Sequence, residues 1–407
     1  MSELQLCFSG SSSADEGTFK LLELAPELCK IVESSLEASE SIRYPLRFTI
    51  KGQSEEDAVL CTKDRTYALR SVALSNTLLV VTPAPYGDLP DDALIIHDQV
   101  NEILELTPVV PKLHKLTALL KGKEYAQDHE DEDMEDDATE VCQLYSSGEP
   151  VADSDAGKKT SYTQLRETVQ ASDAELERGL REKRILDINS DLRPIAPSYL
   201  SHIIELILNT LVSESINPAT ASVEQLTSVL ADNHEVPRLV STQVLSWFGE
   251  IEGGRWKMDA ESIVKEAGLS VLRPHQINPI SVKDLTEAWK TKVGDTFASI
   301  VSLNLLNYFK EYIRMWLNVW FIQGNYLMNR DAETLTYFPA ASLPAEPAPR
   351  FADLFLVRNR WKGEDITPFL SDIAVDSKER DKLLLKYARA TTDPTGIWYT
   401  ARTQYNG

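Results

Sequence analysis

Phe351-Ala-Asp-Leu-Phe-Leu-Val-Arg-Asn-Arg360, Trp361-Lys-Gly-Glu-Asp-Ile-Thr-Pro-Phe369, the stretch 377–390 and Ile397-Trp-Tyr-Thr-Ala-Arg402 follow one another near the end of the chain. Their order predicts helix, helix, helix and terminal strand, which is how a winged helix-turn-helix is built. Ser377 offers an N-cap for the third helix. At 100° per residue Lys378, Lys382, Lys386 and Arg389 share one arc, with Leu383, Leu384, Tyr387 and Ala388 on the other side. Leu385 falls among the cations and departs from the pattern. In a chain of net charge -22, apolar residues inward and four cations outward suit a helix presented to phosphate. From periodicity alone, a solvated basic face accounts for the same spacing.

Working outward, the 407 residues suffice for several domains, each with its own core. Residues 124–140 hold ten acidic side chains and no Lys or Arg, whereas residues 350–407 carry ten Lys or Arg against eight Asp or Glu. Most of this surface repels free duplex, so a DNA contact must be local and salt-sensitive. Cys7, Cys29, Cys61 and Cys142 form no CxxC pair, against a zinc ribbon and a disulfide framework. No basic-then-apolar leader opens the sequence, and the most apolar stretch, 297–328, is broken by Lys310, Glu311 and Arg314. A soluble intracellular chain without a membrane segment is expected.

The fold class expected is α+β: a β-rich partial barrel over 1–122, an acidic disordered linker over 123–160, then three winged helices. These span 161–221, 222–338 with added helices, and 350–407, the last set off by a Pro-rich linker at 339–349. Strands are predicted at 19–24, 46–50, 58–62, 66–74, 77–82, 94–100 and 103–110, followed by a short helix at 110–120. An incomplete barrel leaves edges that seek partner strands; a self-contained barrel is the alternative. Ser161 with Gln164, Ser172 with Glu175 and Ser222 with Gln225 have capping-box spacing and mark helix starts. Helices are predicted at 161–171, 172–185, 199–212, 223–231, 237–248, 259–267, 282–292 and 298–321, and Gly253-Gly254 turns a hairpin. The run 298–321, with Trp316, Leu317, Val319, Trp320 and Phe321, is apolar all round and reads as buried.

Catalytic motifs are missing. Gly157-Lys158-Lys159-Thr160 brushes against a P-loop, but Lys159 stands where Ser or Thr should follow and Ala152 occupies the upstream Gly position. The histidines 97, 114, 129, 202, 234 and 275 stand alone, and the acids around Asp131, Asp133, Asp136 and Asp137 lack the Gly of a calcium loop. No metal, cofactor or enzymatic activity is expected. A basic hairpin tip, Arg255 and Lys257, and the terminal-strand Arg402 are further DNA-contact candidates. No Asn or Gln is poised to read a base edge, so sequence-independent recognition of single- and double-stranded DNA is expected. Trp256 and Trp398 suit either stacking on unpaired bases or the core. Arg178, Arg181 and Arg184, interspersed with Glu175, Glu177 and Glu182, suit a protein partner better than a duplex.

Arg360 to Phe369, followed by Asp381-Lys-Leu-Leu-Leu-Lys-Tyr387, resembles the carboxy-terminal signature of the sister chromatid cohesion protein Dcc family. Phe19-Lys-Leu-Leu-Glu-Leu24 and Asp57-Ala-Val-Leu-Cys-Thr-Lys-Asp-Arg-Thr-Tyr-Ala-Leu69 agree with it. The resemblance implies a non-catalytic nuclear subunit of the cohesion-type alternative replication factor C clamp loader, acting in DNA replication and the cell cycle. It implies a β-rich domain assembled with a small β-barrel partner subunit and the C-terminal tail of the large subunit. It also implies a first winged helix docked on the catalytic half of DNA polymerase epsilon, and two more that hold DNA during loading or unloading of the sliding clamp PCNA. The rival reading from another class is a winged-helix scaffold of a transcription-associated complex with no replication role.

Overall fold

The computed structural model describes residues 5–8, 19–37, 48–83, 93–127, 159–303 and 322–402. Most of the acidic tract, Cys142, His129 and residues 304–321 of the apolar helix expected at 298–321, Trp316 to Phe321 included, lie outside the described residues. Two compact units divide the chain, Met1–Lys112 with Arg166–Leu176, and Leu113–Leu165 with Glu177–Gly407.

The first unit is built on strands β1 (Gln5–Phe8) and β2 (Leu21–Glu23), helix α1 (Pro26–Glu37), and strands β3 (Thr49–Lys51), β4 (Val59–Cys61), β5 (Thr66–Pro83) and β6 (Ala93–Pro108). One six-stranded sheet runs β1-β6-β5-β4-β3, with β2 also on β6. β1 and β2 join β6 in parallel and the remaining pairs are antiparallel. The strands expected at 66–74 and 77–82 are one strand of 18 residues, and those at 94–100 and 103–110 are one of 16. Ser75-Asn76 reads locally as a turn, but pairing with a continuous partner carries the chain through it with a register shift between Ala73 and Leu78. Helix α1 was not foreseen; its Leu28 packs with Leu60, Tyr67 and Leu106 in a small core. The Ser172–Glu175 box closes fully: Ser172 Oγ accepts from the Glu175 N–H at 3.2 Å, and Glu175 Oε2 accepts from Ser172 N–H at 3.0 Å and Thr66 Oγ1 at 2.6 Å.

The second unit opens with α2 (His114–Leu119); α3 (Tyr162–Thr168) and α4 (Asp173–Glu182) are each shared between the units, Arg166–Leu176 belonging to the first, and a hairpin of β7 (Ile185–Ile188) and β8 (Asp191–Pro194) follows in the second. The linker expected from 123 to 160 is narrower at both described ends. Tyr125 is buried and bridges to Ile195, and Thr160 is buried with its carbonyl accepting from the Leu192 N–H.

Among the described residues a six-element order then occurs three times. The first run is α5 (Pro197–Ser213), β9 (Ala221–Ser222), α6 (Val223–His234), α7 (Arg238–Trp247), β10 (Gly249–Glu252) and β11 (Arg255–Met258). The second is α8 (Ala260–Leu272), β12 (Ile280–Ser281), α9 (Val282–Val293), α10 (Asp295–Leu303), β13 (Tyr326–Asn329) and β14 (Thr334–Tyr337). The third is α11 (Pro347–Val357), β15 (Arg360–Lys362), α12 (Gly363–Ile366), α13 (Ser377–Tyr387), β16 (Ala388–Asp393) and β17 (Gly396–Ala401), with a 3-10 turn Thr367–Leu370 after α12. In each sheet the third strand lies between the first and the second: β10-β11-β9, β12-β14-β13 and β15-β17-β16.

The repeat has a sequence signature at the first strand and its following helix: Ala221-Ser-Val-Glu-Gln-Leu226, Ile280-Ser-Val-Lys-Asp-Leu285 and Trp361-Lys-Gly-Glu-Asp-Ile366. A fourth copy, Thr160-Ser-Tyr-Thr-Gln-Leu165, precedes α3. Its last residue, like Leu226, Leu285 and Ile366, is fully buried. In three copies the Ser hydroxyl caps the helix by accepting from the N–H three residues on, at Gln164, Gln225 and Asp284.

Module boundaries shift accordingly. The helix expected to close the first winged helix, α5, opens the next run, and the helices expected as additions to the second form a run with its own sheet. Among the described residues, the buried apolar side chains from Ile195 to Leu335, with Tyr125 and Leu186, share one hydrophobic core, while those from Leu343 to Ala388 form a separate one. The stretch 339–349 is no spacer, because Leu343 is buried in that last core and Pro347 starts α11.

Candidate nucleic-acid interface

Helix α13 is capped by Asp376, whose carboxylate accepts from the Glu379 N–H at 2.8 Å; Ser377, expected as the cap, is the first helical residue. Leu384 is buried, and Leu383 and Tyr387 pack on the same core, so Lys378, Lys382 and Lys386 project outward and are exposed. Four-residue spacing lines them along about 12 Å of helix axis. Among the described residues neither Lys378 nor Lys382 has an acidic partner, and Lys386 Nζ lies 5.1 Å from the Tyr387 ring centroid. Arg380, the other cation of the helix, is taken by Asp381 at 2.9 Å. Leu385 is 64% exposed among the cations.

Arg389 is not on this helix. The helix ends at Tyr387, and Ala388–Asp393 pairs with β17 instead of continuing the turn. Strand register decides where its side chain goes, since alternate residues face opposite sides. Arg360, Thr400 and Arg389 are matched across the three strands, as are Lys362, Trp398 and Thr391. These two rows share a face with Arg402, two residues beyond Thr400. The opposite face carries Trp361, Tyr399, Ala401 and Ala388, all of which belong to the core. The outer sheet face therefore carries Arg360, Lys362, Arg389 and Arg402 together with Trp398. Arg389 and Arg402 are exposed there; Arg360 pairs with Asp393 at 2.8 Å and stacks 4.3 Å from the Trp398 ring centroid. Lys362 is held by Glu364 at 2.7 Å. Asp393, at the strand turn, has its carboxyl pushed down to about 2, first by the hydrogen bond from the Thr395 hydroxyl, with Thr395 N–H, Trp398 Nε1 and Arg360 adding to it. The expected four-cation arc is thus two surfaces, a helix stripe and a sheet face. Alternation of Arg360 and Lys362 about Trp361, and of Trp398, Thr400 and Arg402, was the available signal, obscured by reading 361–369 as helix.

Arg255 and Lys257 are exposed on β11, but the register sets Glu252 opposite Arg255 and Glu250 opposite Lys257. That outer face is balanced in charge. Trp256 on the other side is fully buried, with Nε1 donating to the Leu245 carbonyl at 2.9 Å. The corresponding row of the middle sheet, Ser281, Thr334, Asn329, Thr336 and Leu327, carries no charge.

Arg178 and Arg181 are exposed on α4, Arg181 reaching the Trp247 carbonyl at 3.5 Å. Arg184 does not share an open face with them. It follows the helix with φ 55° and stacks 4.3 Å from the Phe248 ring centroid, where burial lowers its guanidinium below the usual value.

No group of three or more His, Cys, Asp or Glu side chains suited to a metal occurs among the described residues, where no helix is long and apolar enough to cross a membrane. A family model described as sister chromatid cohesion protein Dcc1 matches residues 19–370. Proteins named sister chromatid cohesion protein DCC1 are similar over nearly the whole chain. That of Mus musculus is 26% identical over 403 residues, covering 94% of this chain and 87% of its own length. That of Danio rerio is 24% identical, covering 95% and 89%, and that of Saccharomyces cerevisiae is 22% identical, covering 91% and 93%. The family match ends at Leu370, before α13, so the basic helix lies beyond it.

Proposed function

The chain belongs to the sister chromatid cohesion protein Dcc1 family of non-catalytic clamp-loader subunits, and from that premise we propose that it is the adaptor arm of a cohesion-type alternative clamp loader. In this reading its three six-element runs are winged helices. The order helix, strand, helix, helix, strand, strand, with the third strand central, supports that assignment.

The N-terminal unit serves as the assembly domain, joining a small β-barrel partner subunit and the C-terminal tail of the large subunit. Strand β3, at the sheet edge among the described residues and with Ile50 67% exposed, and the apolar surface of β5 at Leu78 and Leu79 support partner-strand docking. Arg178 and Arg181 on α4 offer a mixed-charge face for the catalytic half of DNA polymerase epsilon. The last module holds DNA through Lys378, Lys382 and Lys386, with Arg389 and Arg402 contributing from the sheet. Other subunits hydrolyse ATP, and this chain localises PCNA loading or unloading in the nucleus, with sister chromatid cohesion following from it.

The observation that carries the DNA role is the exposed three-lysine stripe on α13, with no acidic partner among the described residues, in a chain of net charge -22. The full chain is to be titrated against duplex DNA across a range of salt, unaltered and as K378A/K382A/K386A. Loss of about three phosphate contacts lowers the slope of log affinity against log salt by about 2.7. An unchanged slope overturns this placement. Copurification of the tagged chain with clamp-loader subunits tests the assembly; capture of transcription machinery without them would favour a transcription-associated scaffold.

A further inference from the structure

The outer face of the β15-β17-β16 sheet is built unlike its two counterparts. The same topological face is charge-balanced on the β10-β11-β9 sheet, where Glu250 and Glu252 oppose Lys257 and Arg255. On the β12-β14-β13 sheet it is uncharged. Only in the last module, among these three described sheets, do four cations share a face with an aromatic ring, so the arrangement is no by-product of the repeated fold. Trp398 is half-buried and fixed: its Nε1 donates to Thr395 Oγ1 at 3.0 Å and the Arg360 guanidinium lies against the ring. Asp393, which anchors Arg360, is the single acid in the matched rows.

We propose that this sheet face is a second nucleic-acid surface, separate from α13, which takes single-stranded DNA by stacking a base on Trp398 while Arg389 and Arg402 hold the flanking phosphates. It rests on the reading of the last module as DNA-holding and assigns its two surfaces to two DNA forms. Three strands at about 4.8 Å spacing make a flat strip about 10 Å wide, enough for one sugar-phosphate backbone. A ring on such a strip reaches a base only where the base is unpaired, since duplex bases are stacked inside the helix. The projecting stripe of α13 suits duplex phosphates. An acidic peptide would satisfy Arg389 and Arg402 but would make no use of the ring.

The test uses the full chain, with fluorescence anisotropy against labelled oligothymidylate and a duplex of equal length. W398A is expected to weaken single-strand binding about tenfold and to leave duplex binding within about twofold, as loss of one base–aromatic stack requires. W398F, which retains a ring, keeps most of the affinity and guards against a folding defect. R389A/R402A lowers the single-strand salt slope by about 1.4, the value for two phosphates. W398A leaving single-strand binding unchanged, or weakening both DNAs alike, overturns the proposal. So does a poly-glutamate probe that displaces oligothymidylate from the wild type and binds W398A as tightly as wild type. If K378A/K382A/K386A weakens duplex binding while W398A changes nothing, only the sheet assignment fails. If the helix and sheet variants leave both DNAs unaffected, the DNA role of the module fails with it.

Discussion

Replacing Arg350 by Met removes the polar centre of the last module at nearly constant volume. The Arg350 side chain is 1% exposed. Nε donates to the Pro344 carbonyl at 2.6 Å, Nη1 to the Phe369 carbonyl at 2.8 Å, and Nη2 to the Ala340 and Leu343 carbonyls at 3.2 and 3.3 Å. Both terminal nitrogens also bond Asp372, Nη2 at 2.9 Å and Nη1 more closely. Each orphaned carbonyl that stays dry costs about 1–3 kcal/mol. Summing four such costs overshoots, because water enters the gap and Asp372, 46% exposed, rehydrates. A net loss of about 2–4 kcal/mol remains, from the one or two carbonyls that stay dry. This is a large part of the stability of a small core. Because the Leu343–Ala388 core is separate from the Tyr125–Leu335 core, R350M is expected to melt the last module first. In urea unfolding of the full chain an early transition should appear, together with proteolytic cleavage near residue 340 and loss of duplex binding. The reasoning fails if R350M unfolds within about 0.5 kcal/mol of wild type.

Three further outcomes are expected. S172A opens the cap at α4 and should cost about 1 kcal/mol in urea unfolding, while an effect below experimental error would deny the cap its role. G249A places a methyl group 2.2 Å from Trp256 Nε1 and 2.4 Å from the Lys257 carbonyl, for a loss of about 1–3 kcal/mol; G253A, in open space but at φ +55°, should cost about 1 kcal/mol or less. Equal losses for the two would refute this steric account. The folded-state pKa of Asp393 lies below its unfolded value, so its stabilisation of the strand turn is complete above about pH 4 and is lost as pH falls through about 2. Carboxyl-carbon NMR should place its midpoint near 2, and a midpoint at the ordinary aspartate value would remove the inferred hydrogen bonding.

Helix starts were the most legible part of the fold. Ser161, Ser172 and Ser222 each cap the helix expected, since a short hydroxyl followed by a residue with a free N–H three positions on is a local signal. The repeat around Leu165, Leu226, Leu285 and Ile366 was equally local and passed unnoticed because its copies share a pattern of capping and burial more than identical residues. Ala388 to Asp393 was misread for the opposite reason. Its residues lack alternating apolar character, because one face is solvated and the other offers only small residues to the core, so helical periodicity ran on through Arg389.

Residue order alone determined that the chain is acidic with a locally basic end, that it lacks nucleotide-binding and metal motifs, where several helices begin, and to which family its signatures point. Those properties depend on neighbours within a few residues or on simple sums. Pairing of strands distant in sequence decided the rest. It made one strand of 66–83 across an apparent turn and placed Arg360, Arg389 and Trp398 on one sheet face while leaving the lysines on α13. A strand's facing is fixed by its register with partners, and a shift of one residue exchanges core and solvent sides, so a basic patch of this kind exists only once the sheet has formed.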